Sequence, residues 1–115
     1  MPRTVELEQR LDQSFSALSD GTRRGVLRRL GRGDATISDL ASMFDMTLTG
    51  MKKHVTTLEA SGLVKTRKEG RVRVCSLGSQ KLDAETAWIA AYREVLVARL
   101  DRLESFLDAM SEEVE

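Results

Sequence analysis

Apolar residues recur with two different periods along this chain of 115 residues, and the changes of period divide it into elements. Leu7, Leu11, Phe15 and Leu18 lie three or four positions apart, which places them on one stripe of a helix that stops at Ser19-Asp20-Gly21. Asp20 is placed to cap a second helix carrying Val26, Leu27 and Leu30. Thr36 with Asp39 three residues later has capping-box form, an acid standing for the usual Glu or Gln, so a third helix starts near Ile37 and continues through Leu40, Ala41 and Phe44. Asp45-Met46 reads as a turn, and Thr47 caps a fourth helix whose predicted inner face is Leu48, Met51, Val55 and Leu58. Ser61-Gly62 ends it, with glycine in the left-handed position. The period then drops to two, over 65–68 and 71–76, about a predicted turn at Glu69-Gly70, which is the pattern of a β-hairpin. After Ser79 there is no Gly or Pro, and Leu82, Glu85, Ile89, Tyr92, Leu96, Leu100, Leu103, Leu107 and Met110 return to helical spacing.

These elements predict a mainly α fold with a small β-hairpin, a single winged helix-turn-helix domain over 1–115. The helix-turn-helix occupies 36–61 and the wing 64–77, with flanking helices at 6–19 and 82–110. The last helix outreaches the core of one small domain, and a second apolar line of Trp88, Val95 and Phe106 makes its stripe broader than a coiled-coil seam. Intramolecular packing is the bland explanation. A twofold interface is preferred, built from Leu7, Leu11 and Phe15 on the first helix and Leu96, Leu100, Leu103 and Leu107 on the last. Two DNA half-sites would then form an inverted repeat about one helical turn, ~34 Å, apart.

The outward face of the fourth helix carries Thr47, Thr49, Gly50, Lys52, Lys53, Thr56 and Thr57, which are short hydroxyls and cations suited to phosphates and base edges. In the hairpin, Arg71 and Arg73 are expected on one side together with Lys65 and Arg67, and Arg71 nearest a nucleic acid. The formal net charge of zero hides a segregation. Residues 22–81 hold 13 Lys and Arg against five acids, a balance of +8, and the two ends hold the opposite excess. Such a field favours duplex DNA on the motif side only. A solvated surface explains Arg28, Arg29 and Arg32 well enough, but explains the cluster at 65–73 poorly.

Other chemistry is sparse. The lone Cys75 forms no intrachain disulfide, and one Cys with one His cannot complete a four-ligand zinc site, so neither metal nor cofactor is expected. No nucleophile–base pair, glycine-rich phosphate loop or paired acids in an apolar setting is visible, which argues against an enzyme. The first residues lack the apolar core of a leader, and no segment reaches a membrane span, so a cytoplasmic protein is expected. Cys75, near Arg71 and Arg73, is a minor candidate for an oxidant-sensing thiol, its alternation favouring instead a small packed residue.

Ala17-Leu-Ser-Asp-Gly-Thr-Arg-Arg, Ile37-Ser-Asp-Leu-Ala, Met51-Lys-Lys-His-Val-Thr-Thr-Leu-Glu-Ala-Ser-Gly-Leu-Val and Glu69-Gly-Arg together resemble the ArsR/SmtB family of bacterial winged-helix repressors, from about Phe15 to about Leu107. The resemblance implies a homodimer of α-α-α-α-β-β-α topology that represses an operon, often its own. It also implies that Thr47, Thr49, Lys52, Lys53 and Thr56 face the DNA. The family often has Pro-Ala where this chain has Thr49-Gly50, and Ser in place of Lys52, so the operator is not transferable. Its metal sensors carry thiolates on the first motif helix, where this chain has Ser38, Asp39 and Ser42, and the histidines of the other metal-sensing class are missing from the last helix. His54 stands where the family commonly has a histidine, and packing is the expected role. Trp88-Ile-Ala-Ala-Tyr-Arg and Arg99-Leu-Asp-Arg-Leu-Glu-Ser-Phe-Leu look like the branch without metal ligands. With no further domain visible to engage a polymerase, steric repression is expected. The competing reading is a winged helix that binds protein and has lost DNA contact; acids or large apolar residues on the reading face would mark it.

Overall fold

The computed structural model describes residues 2–114. The elements run α-α-β-α-α-β-β-α, the first seven in a compact unit that ends at Lys81 and the long final helix in a second that begins at Leu82. Helix α1 (Pro2–Leu18) is followed by α2 (Gly21–Leu30), whose N-cap Asp20 accepts the Arg23 amide at 3.0 Å. Bonds to the Arg23 and Thr22 amides and the nearby charges of His54 and Arg23 hold the Asp20 carboxyl below its ordinary value.

The helix-turn-helix comprises α3 (Ile37–Met43) and α4 (Leu48–Ala60). Both predicted caps are made: Thr36 Oγ1 accepts from the Asp39 amide and Thr47 Oγ1 from the Gly50 amide, each at 3.0 Å. Asp45 takes φ 51° in the turn between the helices, a conformation that a short acidic side chain tolerates better than most. The core of this unit is aliphatic: Val26, Leu30, Leu40, Met51, Val55, Leu58 and Val64 are closed off from solvent. At about 1.5–3 kcal/mol for each fully buried large aliphatic side chain, this burial is the chief term favouring the folded unit.

The hairpin consists of β2 (Val64–Glu69) and β3 (Val72–Leu77), and a strand absent from the sequence prediction, β1 (Ala35–Thr36), pairs with the other edge of β3. Two residues show no periodicity, so β1 is set by its partner rather than by its own pattern: Ala35 faces Cys75 and Thr36 faces Val74. The β2–β3 ladder ends at Glu69 opposite Val72, which makes the loop Gly70-Arg71 instead of Glu69-Gly70. Gly70, at φ 60°, supplies the left-handed residue that a two-residue hairpin loop demands. Any two-residue loop here sets odd-numbered residues of β3 opposite even-numbered residues of β2, so the loop length decides which side chains share a face. Residues directly opposite in a ladder share a face, so Arg73 lies with Lys68, and next along with Thr66, whereas Lys65 and Arg67 lie on the other side. The expected grouping of Arg71 and Arg73 with Lys65 and Arg67 is thereby corrected.

The second unit is α5 (Asp83–Val114), 32 residues and hence about 48 Å long at 1.5 Å per residue. It follows Leu82, which holds φ 61°, unusual for a branched side chain. No helix among the described residues is long and apolar enough to cross a membrane.

Where the chain leaves the sheet, the Gly78 amide donates to the Leu63 carbonyl at 2.9 Å, and a Cβ at Gly78 would collide with the Gly62 carbonyl. Both groups in that contact are backbone, so neither has a rotamer in which to retreat. Gly78→Ala is therefore expected to lower unfolding free energy by about 1–3 kcal/mol in a urea melt, the range for an overpacked site.

Candidate nucleic-acid interface

Helix α4 presents an outward arc whose centre follows from 100° per residue: Thr49 and Thr56 lie about 20° apart, with Lys52 on one side and Lys53 on the other. All four are exposed, while Met51, Val55 and Leu58 fill the opposite face. The hydroxyls other than that of Thr49 are committed locally. Thr47 serves as the helix cap, and Thr56 and Thr57 donate to the carbonyls of Lys52 and Lys53 at 2.8 and 3.1 Å.

Between α4 and the wing runs a groove of about 560 Å³. Leu48, Lys52 and Thr56 line it from the helix, and Thr66, Lys68, Arg71, Val72 and Arg73 from the hairpin. Four cations thus meet one carboxylate there, that of Glu59, which accepts from Thr66 Oγ1 at 2.8 Å and ties the recognition helix to the wing. The structure therefore brings Thr56, Lys52, Arg71 and Arg73 to one surface and adds Lys68 and Leu48, which the sequence reading did not place there. Lys68 shares the face of Arg73 because it stands directly opposite it in the ladder. Leu48 fits the apolar period of the buried face but is exposed.

Arg67 is not part of this surface. Its Nε donates to Glu69 at 2.7 Å and its Nη1 to Asp34 at 3.0 Å, so it spans from the wing to the loop before β1. Those two carboxylates, Glu69 foremost, hold its guanidinium more firmly protonated than usual. Exposed pairs contribute little to stability, so the value of the arrangement is in fixing the wing's direction.

Two further polar residues have structural settings. His54 Nδ1 lies 3.2 Å from Arg23 Nη1 and 4.0 Å from Asp20, and Arg23 also donates to the carbonyls of Ala17 and Ser16, so the imidazole joins α4 to the start of α2. Cys75 is wholly buried; burial pushes its thiol up, Glu59 pushes the same way and Arg73 opposes. An unactivated, enclosed thiol is a packing residue rather than an oxidant sensor. No group of three or more metal-ligating side chains that could hold an ion occurs among the described residues.

Of the side chains expected at a twofold interface, Leu7, Leu96, Leu100, Leu103 and Leu107 are exposed and Phe15 is half-buried. Leu11 is corrected: at 5% exposure it is already a core residue of the single chain and has almost no surface left for a partner. On α5, Trp88 and Tyr92 stack with ring centroids 5.5 Å apart.

A helix-turn-helix domain model matches residues 18–67. The crystal structure of an ArsR family transcriptional regulator is 46% identical, with a TM-score of 0.70 over 77% of this chain and 92% of that one. The transcriptional repressor SdpR of Bacillus subtilis is 28% identical over 79 residues, 69% of this chain and 88% of its own length. The homodimeric winged helix-turn-helix DNA-binding domain of Mb0332 from Mycobacterium bovis shares the fold at 22% identity, with a TM-score of 0.66 over 82% of this chain and 87% of that one.

The geometry separates the cations by role. Lys52→Ala and Lys53→Ala are expected to differ: loss of a base contact costs about 1–3 kcal/mol at the cognate sequence alone, and loss of a phosphate contact weakens all sequences and lowers the salt slope by about one. Titrations on cognate and random duplex at several salt concentrations read both, and parental binding by both variants would displace α4 from the interface. Arg71→Ala with Arg73→Ala should weaken binding at unchanged melting temperature, because exposed strand charges add little to folding. Arg67→Ala should weaken it less than that pair does, since it withdraws an orienting side chain and no contact; an equal loss would place Arg67 on the DNA.

Proposed function

The chain belongs to the ArsR family of winged-helix transcriptional regulators, and on that premise we propose that it is a dimeric, non-enzymatic cytoplasmic repressor that reads an inverted-repeat operator in duplex DNA. DNA-binding transcription regulation is the family's activity.

The observation that carries it is the surface of α5. Trp88, Ile89, Tyr92, Val95, Leu96, Val97, Leu100, Leu103, Phe106, Leu107 and Met110 are each at least two-fifths exposed, Leu100 reaching 64%. Soluble monomers seldom leave so continuous an apolar surface to water, and a second copy of the same helix is the simplest cover. Dimerisation also answers an energetic need. One recognition helix with its wing buries about 600–1,000 Å², which binds weakly at physiological salt, and a second copy at fixed spacing multiplies affinity without any new kind of contact. The homodimeric state of the Mb0332 domain is consistent with this arrangement. Repression follows from a small dimer occupying promoter DNA, and SdpR, described as a repressor, supports that sign. The operon regulated includes the protein's own upstream region on this reading.

The test combines sedimentation with footprinting on that upstream DNA. The parent is expected to sediment as a dimer and protect an inverted repeat with centres about 34 Å apart. Leu100→Glu with Leu103→Glu should yield monomer and reduce operator affinity by about 100-fold or more, the scale of lost bivalency, with the reading face untouched. A folded monomer that protects both half-sites with parental affinity would sink the dimer, and activation of a promoter reporter by the parent would reverse the sign.

A further inference from the structure

We propose that Leu48 determines operator specificity by packing on the 5-methyl group of a thymine in each half-site; this rests on the reading of α4 as the helix that enters the major groove. Leu48 is the first residue of α4, with Thr47 as cap. Angular spacing puts it about 20° from Val55 and about 40° from Lys52, at the border between the buried and outward faces. A helical side chain lies over the turn that precedes its own Cα. At the first position there is no preceding turn of helix to cover it, and Leu48 stands 45% exposed while Met51 and Val55 are closed off. It projects into the groove that Lys52, Arg71 and Val72 also line.

A single exposed leucine is ordinary on a protein surface. This one occupies the N-terminal turn of a recognition helix, the part that meets base edges, beside the cation of Lys52 and with the hydroxyl of Thr49 next in the chain. Its chemistry then selects the partner. A leucine neither donates nor accepts, so against an amino or carbonyl edge it would remove water and replace nothing. The apolar group that an unmodified major groove offers is the thymine methyl. The flanking Lys52 and Thr49 are left to the polar edges and phosphates beside that base pair.

Footprinting of the parent chain defines the half-site, and duplexes in which each thymine is replaced in turn by 2′-deoxyuridine remove one methyl at a time. One replacement per half-site is expected to weaken the parent about fourfold, the value of one buried methylene-sized group. Leu48→Ala removes the contact from both half-sites, so it should weaken binding to the all-thymine operator by about 16-fold, the square of that factor, and lose its sensitivity to that one replacement, with parental circular dichroism. The proposal is overturned if no replacement weakens the parent, or if Leu48→Ala loses the same factor on thymine and deoxyuridine duplexes at every position. A parent that protects no inverted repeat would overturn this proposal together with the reading on which it rests, whereas protection without methyl sensitivity overturns this one alone.

Discussion

Much of the molecule depends on β3 being paired along both edges. On one side it carries the wing through β2, and on the other it holds β1, whose last residue, Thr36, is also the N-cap of α3. One threonine thus belongs to the sheet by its backbone and to the helix-turn-helix by its hydroxyl. A two-stranded hairpin alone is marginal in water. Here the third strand and the Glu59–Thr66 bond give the wing fixed neighbours, so the recognition helix and the basic hairpin tip bound one groove with a set width. The loop clamp of Arg67 on Asp34 and Glu69 works in the same direction from the far edge.

Elements with a strong local signal were legible in the sequence. Asp20, Thr36 and Thr47 each accept the amide three residues on, because capping is a bond within one turn and needs no tertiary information. The same is true of the stripe Met51, Val55 and Leu58. The misreadings arose where a neighbour decides. β1 has no pattern of its own, and the faces across the hairpin are fixed by the ladder, whose two-residue loop sets Arg73 opposite Lys68 and Arg67 opposite Val74. Leu48 satisfied the apolar period but sits at a helix start, where periodicity no longer implies cover. The stripe on α1 does not say how much of it its own chain consumes, and Leu11 is buried within the single chain.

Charge works with this geometry rather than creating it. The wing and the outward arc of α4 carry cations that have few local partners, whereas Arg23 and Arg67 are spent on carbonyls, the imidazole and carboxylates that hold elements together. The basic balance of residues 22–81 therefore overstates the cations available to a polyanion. Counting charges along a sequence gives the sign of the field, and only the hydrogen bonds show which members remain available to a phosphate.

The back-bonding threonine of α4 carries a directional consequence. Because the Thr56 hydroxyl proton is committed to the Lys52 carbonyl, the oxygen has only lone pairs to turn outward. A phosphate oxygen, itself an acceptor, finds no complement in it. The amino groups of adenine and cytosine do, and both are displayed on the floor of the major groove. At Thr56 the arc is thus an acceptor set between two cationic donors, a polarity written by the helix's own backbone.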